Sequence, residues 1–472
     1  MSGSMLEKLS AAKAQLSAGD ARKRLELLFD EGSFVELDSF VKAAEGAAGV
    51  LTGYGTVEGS PVYAFSQNSD DLGGGMGRAQ MAKLTKVYDL ALKTGCPVVG
   101  IYDSKGARLE EGADALAAYG DLMKTVSRLS GVVPQVAVVA GPCAGAAALA
   151  ACNADLVIMS EEGELFLTPP FVAKAKGKTV EGAGTAGNAA RAGVVHLVAK
   201  DDGEAIAQAR KILSLLPANN LAVAPIFEWE EQPGAGLNDM GEGTQKADGA
   251  VVLDTLADAG SAIELQPEFG CGVVTKLATL AGNVCGMAAT TGAPLTADDS
   301  NKLARFVQFC DAFQLPVVTL VNTPGFAPSS KSETQGAVRE AAKLCAVYGE
   351  ATTPKVSVII GEAIGPAYIA LAGKASAADL VFAWPSAVIS PLEPAAAVAL
   401  LKEDTITPEH TRAQAEADYR ANEASAFTVA AAGYIDNVIE PAATRQVLAS
   451  ALDLLSSKRE SKLPKKHGNL PL

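Results

Sequence analysis

One short pattern is written twice in this chain, and it restricts the fold more than any other feature. A run of β-branched and small apolar residues is followed by a glycine turn and then by small residues suited to a closely packed helix start. The first copy is Pro134-Gln-Val-Ala-Val-Val-Ala-Gly-Pro-Cys-Ala-Gly, leading to Asp155-Leu-Val-Ile-Met. The second is Pro354-Lys-Val-Ser-Val-Ile-Ile-Gly-Glu-Ala-Ile-Gly, leading to Asp379-Leu-Val-Phe, and its Gly361 and Gly365 follow Gly141 and Gly145 by 220 residues. Leu28-Phe-Asp-Glu-Gly-Ser-Phe-Val-Glu-Leu likewise matches Leu256-Ala-Asp-Ala-Gly-Ser-Ala-Ile-Glu-Leu. Pro97-Val-Val-Gly-Ile-Tyr-Asp-Ser-Lys-Gly matches Pro316-Val-Val-Thr-Leu-Val-Asn-Thr-Pro-Gly, and the offsets stay between 219 and 228 residues. One such match can arise by chance between apolar strands, but an ordered series points to duplication.

Strand, glycine turn and helix in repetition imply an α/β fold with parallel crossovers and ligands at the C-terminal ends of the strands. A chain of 472 residues exceeds one ordinary core. The expected domains are 1–225 and 245–472, joined by a linker through Pro217, Asn219-Asn220, Pro225 and Gln232-Pro-Gly-Ala-Gly. Residues 5–28 read as an amphipathic helical arm, Ser33–Leu37 as a short strand and Val50–Phe65 as a hairpin. Leu72-Gly-Gly-Gly-Met-Gly opens a helix carrying Lys83 and Lys86. Gly141-Pro142 is expected to break the first repeated strand. Residues 408–455 read as helical, and the chain ends in a basic tail.

A net charge of −15 argues against nucleic acid as a bulk partner, while leaving room for local Lys and Arg at an anionic ligand. The seven cysteines form no C-x-x-C pair and read as reduced core residues of a cytoplasmic protein. Cys143, in the central turn, reads as a packed side chain rather than a nucleophile. None of the three histidines, His196, His410 and His467, has metal-ligand spacing, and there is no Walker loop or G-x-S-x-G. No signal peptide or membrane span is expected. What remains is a pair of glycine turns at helix starts, where unpaired N–H groups can hold a developing oxyanion. Close helix–strand packing would produce the same spacing.

Longer motifs narrow the choice. Asp299-Ser-Asn-Lys-Leu-Ala-Arg-Phe-Val-Gln-Phe-Cys-Asp, Thr323-Pro-Gly-Phe, Gly336-Ala-Val-Arg-Glu-Ala-Ala-Lys and Ala383-Trp-Pro-Ser-Ala, with Gly106-Ala-Arg-Leu-Glu-Glu-Gly and Lys465-Lys-His-Gly-Asn-Leu-Pro-Leu, resemble the carboxyltransferase subunits of biotin-dependent acyl-CoA carboxylases and decarboxylases. Propionyl-CoA carboxylase β subunits and methylmalonyl-CoA decarboxylase α subunits belong to that family. The resemblance implies a duplicated crotonase-like fold of ββα superhelical units. It also implies a homo-oligomer, a hexamer built from dimers that pair the N-domain of one chain with the C-domain of another. It implies an acyl-CoA thioester on the N-domain, and biotin on the C-domain carried by a separate biotin carboxyl carrier protein. A biotin carboxylase or membrane decarboxylase subunits would be further partners.

Residue by residue, the resemblance has Gly145 and Ala146 supply N–H groups to the thioester enolate, with Gly365 and Pro366 at the biotin-side hole. Ser104, Lys105, Gly106, Ala107 and Arg108 would line the coenzyme A side. Gly325, Phe326, Ala367 and Tyr368 would serve the biotin side, and Ile369 would border the acyl pocket. The chain departs from the family at Pro366, where a glycine is usual, since proline has no N–H to donate. Ala146 and Lys105 also replace glycines. A crotonase-type hydratase, with a base among Glu110, Glu111 and Glu362, and a non-catalytic assembly core remain as alternatives.

Overall fold

The computed structural model describes residues 4–471 apart from 15, 17–18, 44–45, 48, 71, 231–235, 242–246 and 463. The chain divides into two compact units, Met1–Val223 and Ala224–Leu472. Phe227 donates its N–H to Gly282 O, so this part of the expected linker belongs with the second unit. Residues 232–235 of the linker lie outside the described residues.

Each unit holds one eight-stranded sheet, and the two sheets share one topology. In the first unit the strands are β1 (Val35–Leu37), β2 (Val50–Val57), β3 (Ser60–Gln67), β4 (Val98–Ser104), β5 (Gln135–Ala144), β6 (Leu156–Ser160), β7 (Glu164–Phe166) and β8 (Leu197–Ala199). Their order is β1-β2-β3-β4-β5-β6-β8, with β7 paired to the end of β5. The second unit repeats this with β9 (Ile263–Leu265), β10 (Val273–Leu280), β11 (Asn283–Thr290), β12 (Val317–Thr323), β13 (Lys355–Ile364), β14 (Leu380–Ala383), β15 (Val388–Ser390) and β16 (Asn437–Val438), where β15 takes the place of β7. The first two pairings in each sheet are antiparallel and the rest parallel. Every residue of β4 is buried, as a strand covered on both faces requires.

The duplication extends to single hydrogen bonds. Asp30 accepts the N–H groups of Glu58 and Gly59, and Asp258 accepts those of Ala281 and Gly282. Ser33 and Ser261 each donate to the carbonyl of that aspartate, and each accepts a strand amide, from Thr56 and Thr279. Lys83 and Lys302, buried on equivalent helices, Arg78–Thr94 and Ala297–Ala312, donate to Val50 O at 2.7 Å and Val273 O at 2.9 Å.

Three expectations need correction. The amphipathic arm is not one helix: Met5–Ala14 has no buried residue, and a second helix, Asp20–Leu28, starts after Gly19. Gly141-Pro142 does not end the strand, because β5 runs on to Ala144 and the turn falls at Gly145. Gly141 is needed for closeness instead, since a Cβ there would stand 2.2 Å from Asp103 Oδ1. All seven cysteines are free, but Cys152 and Cys271 are exposed rather than in the core.

Candidate active site

In both units the loop after the fourth strand and the turn after the fifth strand come together. A hydroxyl closes the first of these loops: Ser104 Oγ accepts from Gly106 N and donates to Gly74 O, while Thr323 Oγ1 accepts from Gly325 N and donates to Ala293 O. The ladder slips beside each hydroxyl, between Tyr102 and Ser104 and between Val321 and Thr323, which is where bulges re-aim a chain at a site. Gly106 and Gly325 have φ of 111° and 112°, and a Cβ on them would lie 3.2 Å from Ala144 O and 3.3 Å from Ile364 O. The two loops therefore touch only because these positions are glycine.

Beyond the hydroxyls the backbone alternates. Met76 N–H donates to Gly106 O and Arg108 N–H to Met76 O, so the intervening Ala107 N–H faces the other way and has no acceptor among the described residues. Leu295 does the same with Gly325 O and Ala327 N–H, leaving Phe326 N–H free among those residues.

The glycine turns behave differently from the expectation. Gly145, with φ of 62°, donates its N–H to Phe166 O at 2.8 Å, and Gly365, with φ of 60°, donates to Ser390 O at 2.8 Å. Both amides are committed to pairing with β7 and β15, so neither glycine has an N–H to offer an oxyanion. The first free amide on the first turn is that of Ala146, the first residue of the helix Ala146–Cys152, where no intrahelical partner exists. On the second turn Pro366 opens the helix Pro366–Leu371 and carries no N–H, so the first free amide is that of Ala367. Tyr368 N–H is bonded to Gly365 O.

Around the first turn, Lys105 is exposed and its stem lies along Gly73. Arg108 is 9% exposed, and its guanidinium has no hydrogen-bond or ion-pair partner among the described residues. Burial pushes the Cys143 thiol well above its usual range, which removes it as a nucleophile. Around the second turn, Phe326 is half-buried, Tyr368 donates its hydroxyl to Tyr434 O at 2.9 Å, and Ile369 is exposed at the helix position that Leu149 holds in the first unit. The candidate bases are engaged or remote: Glu111 accepts Arg78 N–H at 2.8 Å, Glu362 pairs with Arg420 at 3.0 Å, and Glu110 stands exposed. Sequence reasoning did not find Phe166 and Ser390, whose carbonyls occupy the glycine amides, because a backbone acceptor leaves no trace in residue type.

Among the described residues no group of His, Cys, Asp and Glu could hold a metal ion, and no helix is long and apolar enough to cross a membrane.

Known proteins resemble this chain along nearly its whole length. The carboxyl transferase domain family matches residues 17–470. Methylmalonyl-CoA decarboxylase subunit alpha of Veillonella parvula is 38% identical over 477 residues, covering 96% of this chain and 93% of that protein. The methylmalonyl-CoA carboxyltransferase 12S subunit of Propionibacterium freudenreichii subsp. shermanii is 38% identical, covering 96% and 91%. The crystal structure of transcarboxylase 12S, a hexamer with hydrolysed methylmalonyl-coenzyme A bound, superposes with a TM-score of 0.91 at 37% identity, covering 99% of this chain and 95% of that one. The fold is thus the duplicated crotonase-like one, and the chain belongs to the carboxyl transferase domain family.

Proposed function

We propose that this chain is the carboxyltransferase subunit of a biotin-dependent acyl-CoA carboxylase or decarboxylase, working through one amide pair in each unit. The observation that carries the reading is the repeated pair of N–H groups without acceptors among the described residues, Ala107 with Ala146 and Phe326 with Ala367. In the first unit the pair receives the thioester oxygen of a malonyl-type acyl-CoA. As the bond from the α-carbon to the carboxyl group breaks, its electrons move toward that oxygen, and two aligned amides stabilise the charge where it develops. The Arg108 side chain, without a hydrogen-bond or ion-pair partner among the described residues, offers an attraction for the substrate's anionic groups.

In the second unit the residues fit a ureido carbonyl, because Phe326 and Ala367 present donors and the turn supplies no competing acid. Biotin on a separate carrier protein would supply the nitrogen that takes or gives the carboxyl group. Gly325 and Tyr368 shape this side, and the exposed, apolar Ile369 borders the acyl pocket. Copies of the chain assemble into a hexamer, as transcarboxylase 12S does, and a biotin carboxylase or membrane subunits complete the system.

The test mixes purified chain with malonyl-CoA or methylmalonyl-CoA and either free biotin or a biotinylated carrier. Carboxyl transfer that depends on biotin is expected, and no transfer with any acceptor overturns the reading. A hydratase is disfavoured by the engagement of Glu111 and Glu362.

A further inference from the structure

The two turns are built alike but held differently. In the first unit the carbonyl that receives the Gly145 N–H belongs to Phe166, whose side chain has no polar atom. In the second it belongs to Ser390, and the Ser390 hydroxyl meets the Tyr419 hydroxyl at 2.9 Å in a buried hydrogen bond. Tyr419 lies on the helix Arg412–Asn422, for which the first unit has no counterpart between β7 and β8. The next residue on that helix, Arg420, pairs with Glu362 at 3.0 Å, three positions before Gly365. Tyr419 also belongs to a small apolar cluster with Ile364, Val388 and Ala415, so the helix grips both strands that lead into the turn. Pro391 O closes the space beside Gly365, 3.4 Å from where a Cβ would stand.

We propose that Tyr419 is a positioning residue for the carrier-side turn: through the Ser390 hydroxyl it fixes the carbonyl that takes the Gly365 N–H, and thereby sets where the Ala367 amide stands. The inference rests on the carrier-side reading of this turn given above. Its physical reason is the proline. With no N–H at Pro366, the first free amide of the second turn stands one residue further along, at Ala367, than Ala146 does in the first. A donor displaced in this way is a weak point, because a hydrogen bond's strength falls steeply with distance and angle. The extra helix, its buried hydroxyl pair and its ion pair all act on the turn that has this weakness.

Two conservative variants test it, Tyr419→Phe and Ser390→Ala, each removing one hydroxyl from the pair. For wild type and variants, kcat and KM of biotin-dependent transfer are measured beside acyl-CoA affinity by calorimetry and the thermal midpoint. Each variant is expected to lower kcat about tenfold, with KM for the acyl-CoA, its affinity and the midpoint close to wild type. The double variant is expected to lose no more than either single one, since both break the same bond. The Tyr419–Ser390 latch alone is overturned if wild type is active and Tyr419→Phe keeps kcat within about twofold of it, or loses acyl-CoA affinity in proportion. A wild-type chain that transfers nothing overturns the carrier-side reading, and the latch with it.

Discussion

Arg445 Nη2 lies 2.5 Å from Asp258 Oδ1 in the second unit, and Arg210 Nη2 lies 2.9 Å from Asp30 Oδ1 in the first. Each arginine also donates to the carbonyl of the leucine two residues before its aspartate, Leu256 or Leu28. The two clasps share these groups, Arg210 also pairing with Glu58 at 3.0 Å, but differ in solvent access, the second being 8% and 10% exposed and the first 23% and 29%. Removing one partner of a buried pair leaves the other charged and dry. Arg445→Met should therefore cost about 3–5 kcal/mol of stability, read by urea unfolding, and Arg210→Met clearly less. Burial would raise the Asp258 carboxyl, but hydrogen bonds from Thr279, Arg445 and Gly282 outweigh it and hold the group below the usual range. That contribution is present above the unfolded-state value and fades as pH falls through the lowered one. Arg445→Met should accordingly flatten the acid limb of the stability profile, and equal losses in both arginine variants would contradict the argument.

Lys302 gives a pH dependence of the same sign at the alkaline end of the range. It is 1% exposed, and burial brings its ammonium down to about 8 despite the carboxylates around it. Between that value and the unfolded-state one, near ~10.4, the unfolded chain binds more protons, so stability should rise with pH across this window. Urea midpoints at pH 7.5 and 9.5 should show wild type gaining relative to Lys302→Met, and parallel shifts in the two proteins would count against a buried, partly neutralised lysine.

Much of this was legible before the structure, for a physical reason. Burial on both faces forces an apolar run, so β4, β5, β12 and β13 show in composition, and duplication makes each reading check the other. Gly141 was misread because glycine marks two things, a turn that needs positive φ and a strand crowded by a neighbour, and only coordinates separate them. The resemblance gives the Gly145 and Gly365 amides to a ligand, and helix starts do leave N–H groups unpaired. Their acceptors, Phe166 O and Ser390 O, come from short strands about 20 residues later, and backbone carbonyls carry no sequence signal. The Arg24–Asp103 pair, 2.8 Å apart across 79 positions, was invisible for a similar reason.

Arg108 offers a trade between stability and activity. Its side chain has no hydrogen-bond or ion-pair partner among the described residues, so an apolar side chain of similar length should leave stability close to wild type or raise it. The same change removes the attraction for substrate anions. Arg108→Met should keep or increase the thermal midpoint while raising KM for a malonyl-type thioester by about 10-fold or more, the scale of one charge-assisted hydrogen bond. A variant that loses stability and keeps its KM would place the guanidinium in a structural role.

The two helix starts allow an exchange of donors that separates chemistry from folding. Ala146 and Pro366 occupy the same position, the first residue of the helix after each turn, and differ in whether an N–H is there to donate. Proline is well tolerated at that position, since its ring matches the local backbone and the missing N–H had no helical partner. Ala146→Pro should therefore fold with a thermal midpoint near wild type, yet lose about 10²–10³ in kcat, the usual cost of removing one oxyanion donor. The reciprocal change, Pro366→Ala, adds an amide beside Ala367 and should raise kcat wherever the carrier half of the transfer limits the rate. Loss of activity in Ala146→Pro with the fold intact and a gain in Pro366→Ala would tie catalysis to these amides one by one. If Ala146→Pro transferred carboxyl groups at the wild-type rate, the first turn would be packing and nothing more.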